Sequence, residues 1–139
     1  MEEPRLFSLD EANQMLPLVR EKVVSLRQHR DRLQELERKK AVEELTWLQT
    51  DGTVSPQAQQ EVAQLDQLQQ EEASLFEKDL KELTQIGAEL KDLDEGLVDF
   101  FARRGMELVY LCWKDGEDRI RWWHDLSSGF PGRRPMQEF

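Results

Sequence analysis

The sequence has little of what usually announces chemistry: one cysteine, one tyrosine and two histidines in 139 residues. A single cysteine excludes an intrachain disulfide and any zinc finger built on paired cysteines. It also makes a reducing, cytoplasmic setting the expectation. Basic residues are outnumbered, 19 against 29 acidic, which leaves a net charge of −10. Nucleic acid and anionic membranes would be repelled by such a chain, so neither is expected as a partner. No stretch approaches the roughly 20 apolar residues of a membrane span. The opening, MEEPRLFSLDEANQML, carries acids where a signal peptide needs a basic start followed by an apolar core. There is no glycine-rich phosphate loop, no serine elbow and no H-E-x-x-H pair. A mean hydropathy of −0.74 would suit a disordered chain; the spacing of the apolar residues does not.

Ser8 stands three residues before Glu11, a capping box, and predicts a helix from Leu9. Leu9, Ala12, Leu16, Val19, Val23 and Leu26 then recur at threes and fours and form a packing seam, which Leu33 extends after Arg30 interrupts it. Pro17 lies within it, so a kink or a restart is expected nearby. Thr50, Asp51 and Gly52 break the pattern, and Ser55-Pro56 starts a second helix, with serine as cap and proline at the first helical position. Leucines continue at threes, fours and sevens to Leu93, which places the end of that helix near Asp94. Two long helices joined by a short loop must pair antiparallel. Met15, Leu18, Val24 and Leu36 fall outside the seam and call for a further cover.

Beyond residue 95 the texture changes. Three of the four tryptophans, five of the seven glycines and the tyrosine lie there, with seven basic and seven acidic residues. The period becomes two, and Asp115-Gly116 between MELVYLCWK and EDRIRWWH is a two-residue hairpin signal. That register sets Trp113 opposite Asp118, Leu111 opposite Ile120, Val109 opposite Trp122 and Glu107 opposite His124 on a core face. The other face pairs Cys112 with Arg119, Tyr110 with Arg121, and Leu108 with Trp123. A further strand over 97–101 adds Val98 and Phe100 to the core face and Asp99 to the other. The expected fold is therefore α+β: a long antiparallel helical hairpin (1–95) packed with a three-stranded antiparallel β-meander (96–125) and a C-terminal extended arm (126–139), all in a single domain.

One imidazole with carboxylates can hold a divalent metal or act as a general base, and His124 with Glu107, Asp99 and Asp94 is the set the sequence offers. The alternative, a cross-strand His124 to Glu107 ion pair, needs no ligand and is favoured. Cys112 and His124 fall on opposite faces in this register, so a nucleophilic dyad is not expected and Cys112 reads as a buried, inert thiol. Tyr110, Arg121, Trp123, Phe130 and Arg133 make the mixed face and arm candidates for an interaction surface. The arm, carrying Arg133 and Arg134, is expected to dock on the acidic second helix of its own or a partner chain, anchored by Phe130.

FSLDEANQMLPLVR at the start, then KDLDEGLVDF, VYLCWKDGE, WWHD and GFPGRRP in that order, resemble the domain of unknown function 2203 family. The matching positions are Asp94, Gly96, Asp99, Cys112, Trp113, Glu117, Trp123, His124, Gly129, Gly132, Arg133 and Pro135. The resemblance implies a soluble bacterial protein of this size and brings no reaction or catalytic roles. The expected function is a self-associating interaction or scaffold protein without catalysis, a homodimer with room for another protein partner. The alternative is a small-ligand or divalent-metal-binding enzyme at His124, Glu107 and Asp99.

Overall fold

A computed structural model of the chain describes residues 3–48 and 53–139. Two helices come first, α1 (Leu9–Leu48) and α2 (Pro56–Gln85), then five strands: β1 (Ala88–Asp92), β2 (Leu97–Arg104), β3 (Glu107–Lys114), β4 (Trp122–Asp125) and β5 (Arg134–Pro135). The fold is α+β, with the strands in sequence order in one antiparallel sheet. The chain forms two compact units. A sheet unit joins the residues up to Val24 with Asp79–Phe139, and a hairpin unit is Ser25–Lys78.

In the sheet unit the capping box forms as the sequence requires. The Ser8 hydroxyl accepts from the Glu11 amide at 3.1 Å, and the Ser8 amide donates to the Glu11 carboxylate at 3.0 Å. α1 runs through Pro17 as one helix rather than restarting there. Ala12, Leu16, Val19 and Val23 are buried, as the seam predicts, together with Leu83 of α2. The same unit buries one face of the sheet: Ala88, Val98, Phe100, Ala102, Val109, Leu111, Trp113 and Trp123. Phe7 meets Phe100 edge-on at 5.1 Å, and the Arg20 guanidinium lies over the Trp113 ring. Each large aliphatic or aromatic side chain so buried contributes about 1.5–3 kcal/mol.

The second helix stops at Gln85, nine residues before the expected end at Asp94. Gly87, at φ +96°, supplies the left-handed residue that closes a helix, and a side chain there would strike the Phe7 ring. Leu90 and Leu93 keep the helical spacing by coincidence, and Leu90 belongs to β1, an added strand beside β2. The arm adds another: Arg134 and Pro135 pair with Trp123 and Trp122. The sheet therefore has five strands where the sequence suggested three.

The predicted turn is present, with the Glu117 amide donating to the Lys114 carbonyl at 3.0 Å around Asp115-Gly116. The predicted ladder beyond it is not. The Ile120 amide donates to Asn13 Oδ1 at 2.7 Å, and the Glu117 and Asp118 carbonyls accept from Arg20. These helix side chains hold 118–121 away from β3. Pairing resumes with Cys112 opposite Trp122 and Tyr110 opposite His124, three residues out of the two-residue register. An odd slip turns every side chain of β4 to the other face. Trp123 is thus in the core opposite Leu111, Trp122 is half-buried on the other face, and His124 joins Cys112 there.

In the hairpin unit Ser55 caps α2, accepting from the Ala58 amide at 3.0 Å. The break expected at Thr50, Asp51 and Gly52 lies outside the described residues. Polar pairs between the helices fall in antiparallel order: His29 with Glu72, Gln69 with Glu37, and Lys40 with Asp66. Leu26 and Leu36 are the buried apolar residues among those described, so Leu36 sits inside the packing rather than outside it.

Candidate functional site

β2, β3 and β4 together carry a second sheet face with a polar centre. Asp99 lies opposite Cys112, and His124 lies opposite Tyr110 on the next strand pair. All three of Asp99, Cys112 and His124 are buried, Asp99 at 3% exposure and His124 at 2%. One donor atom from each lies within 4.8 Å of the others. They line a cavity of about 180 Å³ with Lys91, Tyr110 and the loop residues Leu126 and Phe130.

The hydrogen bonds of His124 define its chemistry. Nδ1 stands 2.6 Å from the Asp125 carbonyl oxygen, which can only accept, so Nδ1 carries a proton. Nε2 stands 3.0 Å from Asp99 Oδ2. Its lone pair faces a carboxylate unless a cation lies between them. With a proton there, the pair is imidazolium and carboxylate. Burial alone would lower the His124 pKa, but the Asp99 hydrogen bond and charge and the Asp125 carbonyl outweigh it and hold the pKa above its ordinary value. Asp99 Oδ1 is buried and makes no hydrogen bond among the described residues.

The same surroundings decide what Cys112 can do. Burial, then the charge of Asp99, push its thiol up to about 12, far from the thiolate a nucleophile needs. Both ring nitrogens of His124 are already engaged, which leaves no base for the thiol. The expectation of a buried thiol holds. The argument from opposite faces does not, because the register slip brings Cys112 and His124 to one face.

Around this centre Tyr110 donates to Glu89 at 2.8 Å and accepts from Lys91 at 3.2 Å, while Lys91 also pairs with Glu89 at 2.7 Å. Burial, then the Glu89 contact, holds the phenol pKa above its ordinary value. Asp125 caps the loop beyond β4, accepting from the Ser127 and Ser128 amides at 3.0 and 2.7 Å. Those contacts, Ser128 first, keep its carboxyl below the usual range.

The other predicted residues disperse. Glu107 is exposed, opposite Arg104 at the far end of β3, and does not face His124. Asp94 is exposed in the β1–β2 turn and is not among the converging donors. Arg121 pairs with Asp118 at 3.1 Å outside the strands, not opposite Tyr110. Trp123 lies on the core face, where Arg104 and Arg134 stack on it. Phe130 lines the cavity and lies under the Arg133 and Lys114 cations. Arg133 donates to both oxygens of Glu117 at 2.7 and 2.9 Å and covers Trp122, so the arm docks on the sheet rather than on the acidic helix. Cys112 is the member of the cluster that the sequence set aside. Asp99 and Cys112 already shared a predicted face, and only the β4 register hid His124 from them.

The hairpin unit offers a surface of a different kind. Val42, Leu45, Leu68 and Leu75 are exposed, Leu45 at 60%. A groove of about 520 Å³ runs between Arg38, Lys39 and Val42 on α1 and Glu61, Leu65 and Leu68 on α2.

The model of the family described as "Uncharacterized conserved protein (DUF2203)" matches residues 5–136. No curated protein and no solved structure matches the chain.

Proposed function

The chain belongs to this family across nearly its whole length, and from its geometry we propose that it is a self-associating interaction protein, a homodimer assembled through its helical hairpin. One observation carries this. The hairpin unit spans 54 residues, Ser25–Lys78, yet buries only Leu26 and Leu36 among its described apolar side chains, while Val42, Leu45, Leu68 and Leu75 face water. A second surface covering the exposed stripe would remove that apolar area from water, a gain of about 25 cal/mol per Å².

A second copy of the chain suits that surface. Residues 25–48 of α1 hold six basic and five acidic side chains, whereas 56–78 of α2 hold one basic and five acidic. Two hairpins related by a two-fold axis set the more basic helix of each against the acidic helix of the other. An interaction role without catalysis suits a thiol held near 12 and a histidine with both nitrogens engaged. A reducing, cytoplasmic compartment suits the lone buried thiol. A different protein partner on the same stripe would compete with the second copy.

Light scattering on the full chain across micromolar concentrations tests the reading. It should give a mass near twice 16.4 kDa. The double variant Val42→Glu with Leu68→Glu, both at exposed helix positions, should return one chain with unchanged helicity. A wild-type mass of one chain at every concentration would refute the dimer.

A further inference from the structure

We propose that Asp99, Cys112 and His124 form a binding site for one zinc-class divalent cation. The inference is separate from self-association and rests on the sheet unit alone.

The geometry begins with two atoms that need a proton or a metal ion between them. His124 Nδ1 carries its proton toward the Asp125 carbonyl, so in the neutral ring Nε2 presents a lone pair to Asp99 Oδ2 at 3.0 Å. A cation between them resolves the conflict. Ligand bonds of about 2.0–2.2 Å to nitrogen and oxygen place two donors of one ion roughly 3.0–3.5 Å apart, the spacing found here. The carbonyl on Nδ1 is also the outer partner that a metal-binding histidine requires, because it fixes both tautomer and ring orientation.

Cys112 Sγ completes the set within 4.8 Å. A zinc–sulfur bond of about 2.3 Å asks the sulfur to stand about 3.5 Å from the other donors, so on binding the three donors draw together. Asp99 Oδ1 points independently to a ligand: it is a carboxylate oxygen on a residue 3% exposed, without a hydrogen-bond partner among the described residues. A second metal bond or a metal-bound water would satisfy it.

Charge favours the same occupant. A carboxylate and a thiolate bring two negative charges, which a divalent ion neutralises with the imidazole left uncharged. A buried site that is neutral in sum avoids the penalty of an uncompensated charge. On binding, the thiol proton leaves to solvent as the metal–sulfur bond forms, and the ion's charge replaces the burial penalty that otherwise holds the thiol protonated. One sulfur, one nitrogen and one oxygen donor suit zinc or cobalt(II). Magnesium and calcium take oxygen almost exclusively. The cavity of about 180 Å³ beside the cluster leaves space for water in a fourth position.

The test is titration of the chelator-treated 139-residue chain with cobalt(II), followed by displacement with zinc. Saturation at one ion per chain should bring the visible bands of tetrahedral cobalt and a near-ultraviolet sulfur-to-cobalt charge-transfer band, both lost when zinc is added. Cys112→Ser, nearly isosteric, should keep the fold by circular dichroism, lose the charge-transfer band and bind zinc at least tenfold more weakly. His124→Ala should abolish binding, and Glu107→Gln should leave it unchanged. Folded wild-type protein that shows no cobalt spectrum overturns the proposal. So does zinc binding that is equal in wild type and Cys112→Ser.

Discussion

The two units of this chain are held together by different means. The sheet unit buries aromatic and branched side chains from α1, α2, three strands and the segment before β4, with Trp113, Phe100, Leu16, Leu111 and Ile120 among those with no more than 2% exposure. Among its described residues the hairpin unit lines up polar pairs along two helices and buries two leucines and a glutamate. Exposed ion pairs contribute about 0–1 kcal/mol each, whereas one buried aromatic outweighs several of them. The first region can therefore hold polar groups in fixed geometry at its centre. The second has surface to offer and little of its own to fix it. Fixed geometry belongs to the sheet unit, and exposed apolar surface to the hairpin unit.

That contrast can be broken most directly by truncation. Trp113→Ala should cost about 3–5 kcal/mol in urea unfolding, because its neighbours cannot close the space left behind. Leu45→Ala should cost about 0.5 kcal/mol or less in dilute protein, and that small loss should grow with protein concentration if a second copy covers the residue. Equal losses at both sites would abolish the distinction.

A smaller effect tests whether the arm is part of the sheet unit. Arg133 meets Glu117 through two hydrogen bonds, donates to the Cys112 carbonyl, and stacks on Trp122 and Phe130. Arg133→Ala should lower stability by about 1–3 kcal/mol, the range for a hydrogen-bonded charge left without its partner. It should do so with little sensitivity to salt, since the pair is largely buried. A loss that disappears in high salt would make the arm a surface attachment.

The smallest effects have opposite signs in the two regions. The Ser8 amide and hydroxyl hold the Glu11 carboxyl below its ordinary value. Its contribution is present at neutral pH and is lost as pH falls through that lowered value. In the hairpin, partial loss of water and then the charge of Glu61 push Glu43 up. A carboxyl raised on folding takes up a proton more readily when folded, so this region gains as pH falls through its raised value. Amide protection factors, which remove the intrinsic pH dependence of exchange, should rise around Glu43 as pH falls from neutral to mildly acidic, while those of the first turn of α1 should fall only at lower pH, below the ordinary carboxylate range. The same sign in both regions would refute the assignment.

The comparison also explains what could be read without coordinates. Helix starts were legible because the capping partners are local: Ser8 with Glu11, and Ser55 with the Ala58 amide. The seam from Ala12 to Leu26 was legible because a single period of 3.6 governs both spacing and burial. The end of α2 was misread because Leu90 and Leu93 prolong that spacing, while Gly87, the residue that ends it, is a weaker signal than two leucines. The arm's place on β4 was not legible, since two paired residues leave no periodicity.

The sequence by itself determined the α+β class, both helix starts, the buried seam, the turn at Asp115-Gly116 and the shared face of Asp99 and Cys112, because each depends on residues close in the chain or on one repeating period. Tertiary structure alone decided the register of β4. Asn13 and Arg20, about a hundred residues earlier, bond the backbone of 117–120 and shift the strand by three positions. An odd shift reverses the side chains of a strand. That long-range contact, which no local pattern encodes, carries His124 to the face where Asp99 and Cys112 wait.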